Sequence, residues 1–367
     1  MAPSHSIGNG DSVSPKRIWA SLITNLNYLP GLLTLHHSLY HPSPDPNAST
    51  DDDDHPPSHG SRYPFVAFYT SSFPAEGLKV LQARGIQAQW VPNVIPTSTR
   101  EYVQDPRFAE TWTKLVAFSL EEYERVVLLD GDILIRRNMD ELMELELDSQ
   151  EALDAGQGHG RVFAAAHACA CNPMKKAHYP AHWYVPNDLP HICLHVYTSE
   201  IPKNCAYTTQ HNSPTTAQAT SPPTSAGVGM LNSGVLVITP SAKIYESITT
   251  TLRDTTRIEK YDFPDQELLS DVFQGQWVPL PYVYNALKTL RLPDVHGPIW
   301  QDAQVRALHY IFATKPWHEA VGRECEAGAR ERMRELDEPN RWWWAANWAR
   351  QRLERERGAV DVFSGVI

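Results

Sequence analysis

The stretch RVVLLDGDILI, residues 125–135, decides the fold class and raises the first question about function. Four apolar residues precede two carboxylates, Asp130 and Asp132, which are separated only by Gly131. A run that is apolar at every position is typical of a strand buried on both faces of a parallel sheet. Because a buried, unpaired carboxylate is costly, either the strand ends in a solvated turn or a positive group lies close by.

Predicted strands and helices alternate around this stretch. Strands are expected at 18–24, 64–70, 87–92 and 125–130, and helices at 31–40, 75–85 and 110–123. Further strands are predicted in ILIRR, RVFAAAHA and GVLVITPS, and helices in MDELMEL and DQELLSDVFQG. The alternation predicts an α/β fold with a mostly parallel central sheet flanked by helices. Ligands of such sheets bind at the carboxyl ends of the strands, which is where Asp130 lies.

The composition argues against several classes of function. A formal net charge of −11 disfavours attraction to nucleic acid or to an anionic membrane. No stretch reaches the roughly 18 to 20 apolar residues of a membrane span, and the N-terminus lacks the apolar core of a secretory signal. Five cysteines fit reduced thiols better than a disulfide framework. The expected location is therefore cytoplasmic.

The expected organisation is one large domain over residues 16–340, between a disordered tail at 1–15 and a C-terminal helix and tail at 341–367. Loop insertions are predicted at 41–62 and at about 167–227. Their proline-rich, acidic and low-complexity runs, 211–226 among them, are expected to be disordered or mobile. The tryptophans of RWWWAANW give the last helix an aromatic face, which we expect to pack on the core rather than to bind carbohydrate.

Two carboxylates separated by one small residue can both reach a single divalent cation, and Gly131 permits a tight turn between them. Oxygen ligands suit Mg²⁺ and Mn²⁺, which commonly bind through carboxylates together with substrate phosphates. No G-x-x-x-x-G-K-[ST] loop is present, and no G-x-G-x-x-G follows a strand. A P-loop NTPase and a dinucleotide dehydrogenase are therefore not supported, and the predicted ligand is a diphosphate.

Seven motifs carry a resemblance to a known family. They are SLITNLNYLPGLLTLHHSL, TWTKLVAFSL, LLDGDI, LNSGVLVITPS, FPDQELL, LPYVYN and HYIFATKPW. Their order and spacing resemble those of family 8 glycosyltransferases, the family of glycogenins and plant galactinol synthases, over roughly residues 17–320. The resemblance implies a GT-A nucleotide-diphospho-sugar transferase fold, a UDP-sugar donor, Mn²⁺ with Mg²⁺ as the alternative, and transfer with retention at the anomeric carbon.

The resemblance also implies roles for single residues. The metal ligands would be Asp130, Asp132 and His309, and Lys315 would neutralise the diphosphate of the leaving UDP. Asp265 and Gln266 would act at the donor sugar as the other catalytic residues. The residues that would bind the donor are Leu22, Thr24, Asn25, Tyr28, Lys114, Gly131, Asn232, Ser233 and Asp262.

Without the resemblance, several of these residues have structural interpretations. His309 would be a core histidine, and Lys315 could equally be a surface lysine beside a proline turn. Asn25 and Tyr28 would be turn residues, and Asp265 would be an acid at a helix N-terminus.

Retention leaves two mechanisms open. Double displacement needs a carboxylate nucleophile, for which Asp265 is the candidate, whereas a front-face path needs only a departing phosphate oxygen that guides the acceptor hydroxyl. We expect the front-face path, with Asp265 orienting sugar hydroxyls. Glycogenin-like proteins accept the first glucose on a tyrosine shortly after the YN pair, where this chain has Leu292, so a separate acceptor is expected.

Four cysteines fall in or beside the second insertion: Cys169, Cys171, Cys193 and Cys205. Four thiols can form a tetrahedral zinc site. Their spacing is not that of two C-x-x-C pairs, however, and reduced structural cysteines are the alternative. By its position, this segment is expected to line or cover the acceptor side.

The leading hypothesis is a retaining, Mn²⁺-dependent hexosyltransferase that uses UDP-galactose or UDP-glucose as donor. Its acceptor would be a hydroxyl of a small polyol, as in galactinol synthase, or of a glycan, and a homodimer is one assembly it could form. The alternatives are a glucosyltransferase acting on a glycan or a protein, a noncatalytic protein that binds a sugar nucleotide or a partner, and a zinc-organised interaction module.

Overall fold

The computed structural model describes residues 16–43, 59–98, 100–102, 108, 110–177, 179–180, 183 and 205–359. The predicted tail at 1–15, the acidic run within 41–62 and the last eight residues, 360–367, lie outside the described residues. Cys193 lies outside them as well.

Within the described residues the chain forms strands in two sheets. They are β1 Arg17–Ile23, β2 Phe65–Tyr69, β3 Gln87–Trp90, β4 Arg125–Leu129, β5 Ile133–Ile135, β6 Phe163–His167, β7 Leu231–Ile238, β8 Trp277–Leu280, β9 Ala286–Leu287 and β10 Ala307–His309. The central sheet has the order β3-β2-β1-β4-β7-β6-β8, and β7 runs antiparallel to both of its neighbours while the other pairs are parallel. The predicted mostly parallel central sheet is confirmed.

The second sheet is small and has the order β5-β10-β9. Strand β10 pairs antiparallel with β5, so that His309 stands opposite Ile133, and it pairs parallel with β9. This register brings the end of β10 beside the Asp-Gly-Asp turn that joins β4 to β5.

The described residues also form helices. The α-helices are α1 Leu29–Tyr40, α2 Ala75–Ala83, α3 Gln150–Asp154, α4 Pro214–Ala217, α5 Ala242–Leu252, α6 Thr255–Ile258, α7 Pro264–Val272, α8 Ala329–Glu335 and α9 Glu338–Glu356. Local sequence sets several of their starts. Pro30 lies in the first turn of α1, where its missing N–H has no partner to lose, and the side chains of Ser241 and Asp337 cap α5 and α9.

Strand β4 is buried on both faces, as its apolar run predicts. Val126 and Leu128 pack into the core on one side of the sheet, whereas Val127 and Leu129 pack into the core on the other side. The strand therefore places Asp130 at the carboxyl end of the central sheet, directly after a buried strand.

Two predictions of local structure differ from the structure. The helix predicted over 110–123 is present but shorter, as the 3-10 helix Thr111–Ser119, whose residues from Trp112 to Phe118 are all buried. Packing on several sides, rather than one apolar stripe, sets its conformation. The low-complexity run 211–226 is not structureless either, because it forms α4, buries Ala217 and donates a hydrogen bond from Gln218 to the carbonyl oxygen of Ile299.

The tryptophans of α9 pack on the core, as predicted, and they support the segment that carries Lys315. The rings of Trp343 and Trp317 are 5.5 Å apart, and the indole N–H of Trp344 donates to the carbonyl oxygen of Pro316. Trp348 donates in the same way to Gly322. The helix begins at Glu338, so the predicted boundary between 340 and 341 falls inside it.

Candidate active site

A cleft of about 860 Å³ opens at the carboxyl ends of β1 and β4. Nearly all the residues that the sequence singled out line it. They are Leu22, Thr24, Asn25, Tyr28, Lys114, Asp130, Gly131, Asp132, Asn232, Ser233, Asp265, Gln266, His309 and Lys315. The tertiary structure thus gathers residues from distant parts of the chain into one site.

Three potential metal ligands meet at one side of the cleft. The Nε2 atom of His309 lies 3.2 Å from Oδ1 of Asp132 and 3.8 Å from Oδ2 of Asp130. His309 and Asp132 are almost fully buried, and Asp130 is half-buried. A core histidine would satisfy both ring nitrogens with protein partners, so the direction of Nε2 decides between the two interpretations of His309.

A chain of hydrogen bonds fixes that direction. The backbone N–H of Gly234 donates to Oδ1 of Asn232 at 3.0 Å, which identifies this atom as the amide oxygen. Asn285 Nδ2 donates to the same oxygen at 2.7 Å, which leaves Oδ1 of Asn285 facing Nδ1 of His309 at 2.9 Å. Nδ1 of His309 therefore carries a proton that it donates to Asn285, and in the neutral ring the lone pair of Nε2 points toward the two carboxylates.

A ring nitrogen that faces two carboxylates is unfavourable unless a proton or a metal cation lies between them. Oδ1 of Asp132, although buried, accepts no hydrogen bond from the described residues. One histidine nitrogen and two carboxylates suit a divalent cation such as Mg²⁺ or Mn²⁺. The residues present therefore fit the metal that the sequence predicted, and the arrangement favours the ligand interpretation of His309.

Two buried lysines flank the carboxylates. Lys315 is 1% exposed, and its Nζ lies 2.5 Å from Oδ2 of Asp132 and 2.6 Å from the carbonyl oxygen of Tyr310. Burial alone would raise the pKa of Asp132, but the Lys315 ammonium outweighs it and holds that pKa well below its usual range. Lys315 is therefore a buried partner of the turn formed by Asp130, Gly131 and Asp132, called here the acidic turn, rather than a surface lysine.

Lys114 links the acidic turn to α7. Its Nζ lies 2.7 Å from Oδ1 of Asp130 and 3.5 Å from Oδ2 of Asp265. Burial favours the neutral amine, but the two carboxylates outweigh it and raise the pKa of Lys114 above its usual value, so the side chain carries a positive charge at neutral pH. Three carboxylates thus face two ammonium groups around the cleft.

Asp265 and Gln266 line another side of the cleft, which Lys114 connects to the acidic turn. Asp265 is 2% exposed, and its Oδ2 accepts no hydrogen bond from the described residues. Oε1 of Gln266 accepts from Nδ2 of Asn232 at 3.0 Å, which leaves the amide NH₂ as the group that can donate to a ligand. Both residues lie in the first turn of α7, so the helix-acid interpretation of Asp265 is compatible with its place in the cleft.

The segment that follows β1 forms the remaining wall. Asn25 caps the short 3-10 helix Leu26–Tyr28 and accepts from the N–H of Asn27, while Thr24 donates to Glu110 at 2.7 Å. The ring of Tyr28 lies 5.8 Å from Nζ of Lys315. The hydrogen bonds of Asn25 are therefore those of a turn residue, as its structural interpretation predicted. The turn that it forms nevertheless faces the cleft.

Asp262 is the exception among the predicted site residues. Its carboxylate lies 2.5 Å from the guanidinium of Arg100, is 38% exposed and does not line the cleft. This ion pair holds the Asp262 side chain beside Arg100. The sequence motif that contains Asp262 gave no indication of this contact. The geometry does not support its predicted place beside the donor sugar.

Sequence reasoning missed two features of the site. Asn285 ends the LPYVYN motif, which did not indicate a role for it. It orients His309 through a contact between segments that are distant in the chain. An aromatic wall formed by Tyr179, Trp183 and Phe263 also went unnoticed. Trp183 and Phe263 stack with ring centroids 5.4 Å apart, and Tyr179 meets Phe263 edge-on at 5.2 Å. No periodic signal in the sequence marks this wall.

Fold and site together define a nucleotide-sugar glycosyltransferase with the GT-A fold. The chain belongs to the family described as Glycosyl transferase family 8, whose pattern it matches over residues 20–320. It is 25% identical over 284 residues to galactinol synthase 1 of Ajuga reptans, an alignment that covers 77% of this chain and 72% of that one. Galactinol synthase 4 of Arabidopsis thaliana gives the same identity and the same coverage.

Among solved structures, the chain is similar to the glycosyltransferase GlyE of Streptococcus pneumoniae TIGR4. The TM-score is 0.51 at 15% identity, and the match covers 96% of this chain and 67% of that chain. This likeness concerns the fold. Within the part of the chain that the structure describes, no helix combines the length and the apolar character needed to cross a membrane.

Proposed function

We propose that the protein is a retaining, Mn²⁺-dependent hexosyltransferase that moves galactose or glucose from a UDP-sugar to a hydroxyl of a small polyol. The observation that carries this proposal is the cluster of Asp130, Asp132 and His309, with Nε2 of His309 held toward the carboxylates. A metal ion held there would neutralise the donor diphosphate. The cytoplasmic location and the homodimer stay predictions.

Lys315 would stabilise the negative charge that develops on the leaving UDP. It is charged, buried and held by Asp132 and the Tyr310 carbonyl, so little reorganisation is needed when that charge appears. Lys114, between Asp130 and Asp265, would contact the donor between its diphosphate and its sugar. Tyr28 and the turn at Asn25 are the proposed contacts of the uracil and ribose.

Asp265 and Gln266 would hold the donor sugar through its hydroxyl groups. Because Lys114 lies 3.5 Å from Asp265, the ammonium lowers the nucleophilicity of that carboxylate, which favours an orienting role and the front-face path. A covalent hexosyl–Asp265 adduct, trapped during turnover and found by peptide mass spectrometry, would establish double displacement instead.

The acceptor would bind against the aromatic wall of Tyr179, Trp183 and Phe263, because the apolar faces of sugars and polyols pack on aromatic rings. Two relatives are named galactinol synthases, which supports a polyol such as inositol as acceptor. A glycan or protein acceptor is the alternative outcome of an acceptor screen.

The proposal is tested by measuring UDP release from UDP-galactose and UDP-glucose, with and without candidate polyols and with Mn²⁺ or EDTA present. We expect acceptor-dependent release that EDTA abolishes and that Asp132→Asn lowers by about 10² or more. The matched control is Asp294→Asn, which changes an exposed carboxylate outside the cleft and should keep full activity. Equal turnover of wild type and Asp132→Asn would refute the assignment of the metal site.

A further inference from the structure

A second cluster of metal-ligating side chains lies beside the cleft. The sulfur atoms of Cys169, Cys171 and Cys205 and a ring nitrogen of His296 all lie within 4.8 Å of one another. Nε2 of His296 is 3.1 Å from Cys171 Sγ and 3.2 Å from Cys205 Sγ. Ligand atoms around a tetrahedral zinc ion lie roughly 3.5 to 3.8 Å apart, because Zn–S and Zn–N bonds measure about 2.3 and 2.0–2.1 Å. The four atoms are therefore close to coordination spacing.

Because this cluster is buried, its polar side chains need a common binding partner at its centre. His296 is fully buried, Cys205 and Cys169 are 1% and 6% exposed, and Cys171 is half-buried. All three cysteines are free rather than joined in a disulfide. Thiols are weak hydrogen-bond partners for one another, so mutual hydrogen bonding gives little reason for three of them to converge on one imidazole nitrogen.

The orientation of His296 also suits a metal ligand. Its Nδ1 lies 2.9 Å from Nε2 of His211. When Nδ1 carries the proton and donates it to His211, the lone pair of His296 Nε2 points at the sulfur atoms. A histidine that binds a metal through one nitrogen commonly donates a hydrogen bond from the other, which fixes the ring and its tautomer.

We propose that Cys169, Cys171, Cys205 and His296 bind one structural zinc ion. Three thiolates and an imidazole form a soft, closed, four-coordinate set that selects zinc over Mg²⁺ or Mn²⁺, in contrast to the set of Asp130, Asp132 and His309. This set differs in its fourth member from the four-cysteine site that the sequence offered as one alternative. His296 occupies the fourth position in the described residues, and Cys193 lies outside them.

The position of the cluster suggests what the metal does. Cys169 and Cys171 follow β6, Cys205 stands at the far end of the segment 172–204, and His296 lies in the loop before β10. Zinc would join three segments that are distant in sequence, and it would offset part of the entropic cost of closing the 172–204 segment. Because Cys169 also lines the cleft, the ion would hold the wall on the proposed acceptor side.

The first test is the metal content of the full chain, purified without chelators and measured by elemental mass spectrometry. We expect about one zinc ion per chain. Cys171→Ser, at the least buried ligand, should lower this content at least about 10-fold. Cys325→Ser, which changes an exposed free cysteine outside the cluster, and Asp132→Asn, at the other site, should both retain zinc. Zinc that is lost in Asp132→Asn but kept in Cys171→Ser would overturn the assignment.

A second measurement covers the case in which Cys171→Ser fails to fold. Wild-type protein grown with cobalt in place of zinc should show thiolate-to-cobalt charge-transfer absorption and the intense visible bands of tetrahedral cobalt. His211→Ala should weaken zinc binding about 10- to 100-fold in a competition with a chromophoric chelator. Wild-type protein without zinc but with all five thiols titratable, with a disulfide among these cysteines, or with iron–sulfur absorption would overturn the proposal.

Discussion

The Nε2 atom of His309 lies 3.2 Å from the Oδ1 atom of Asp132 because β10 pairs antiparallel with β5 and sets His309 opposite Ile133. The two residues belong to motifs far apart in the chain, and the resemblance that named both as metal ligands gave no geometry for their contact. Asn285 then accepts a hydrogen bond from Nδ1, which leaves Nε2 as the nitrogen that faces the carboxylate and can bind a metal.

Asn285→Ala should weaken metal binding while leaving every direct ligand in place. Without the acceptor at Nδ1, the proton of His309 can move to Nε2, where it opposes a cation. We expect the Mn²⁺ concentration for half-maximal activity to rise about 10- to 100-fold, with much of kcat restored at saturating metal. Manganese titration of UDP release measures this, and an unchanged metal dependence would show that Asn285 does not orient the ring.

Gly234→Ala should displace His309 because there is no room for a Cβ atom. A Cβ at this position would lie 2.3 Å from Cε1 and 2.6 Å from Nδ1 of the imidazole. We expect a loss of about 1–3 kcal/mol in the free energy of unfolding, together with weaker metal binding. Gly131→Ala is the comparison for stability, because a Cβ there would meet its nearest atoms at an ordinary 3.8 Å. Equal losses of stability in the two variants would contradict this interpretation.

Lys315→Met should lower kcat by about 10²- to 10³-fold, because it removes the charge proposed to stabilise the leaving UDP. Lys315→Arg should not restore full activity, since a planar guanidinium cannot occupy a buried position shaped for a single nitrogen between Asp132 and the Tyr310 carbonyl. Steady-state kinetics with the preferred donor measure both effects. Lys79→Met, at an exposed lysine of α2, is the charge-matched control and should behave as wild type.

The chain should not glycosylate itself at the position used by glycogenin-like proteins. Leu292 stands at that spacing, and Tyr310, the next tyrosine, is buried with its hydroxyl donating to the carbonyl oxygen of Pro339. The intact mass of the protein should therefore be unchanged after incubation with UDP-glucose or UDP-galactose and Mn²⁺. A mass increase of one hexose or more on the chain would contradict the expectation of a separate acceptor.

Stability should fall as the pH drops below 6.5, partly because of α1. Burial lowers the pKa of His36 to about 4 and that of His37 to about 3, from 6.5. Both rings are neutral in the folded protein, so below pH 6.5 the unfolded chain binds protons that the folded chain does not. Each ring then removes about 1.4 kcal/mol of stability per pH unit until its folded pKa is reached. Urea unfolding at pH 7 and pH 5 measures this, and His36→Gln/His37→Gln should show a smaller loss.

Local sequence pattern predicted much of the fold because periodicity and burial are linked residue by residue. The apolar run from Val126 to Leu129 identified a strand buried on both faces, and the end of this run identified the carboxyl end of the sheet, where Asp130 lies. The same approach was only partly right at 110–123, where the predicted helix is a shorter 3-10 helix buried on several sides. It failed at 211–226, because composition alone gives no sign of the contacts that order α4.

The sequence by itself determined the class of fold, the family and a set of site residues of which nearly all line the cleft, since each depends on local patterns or on motifs kept in order. Only the tertiary structure decided the orientation of His309 Nε2, the burial of Lys315 against Asp132 and the exclusion of Asp262 from the cleft. It also brought His296 to the cysteines. Each of these features is a contact between segments far apart in the chain, and such contacts are set by packing and strand register rather than by local sequence.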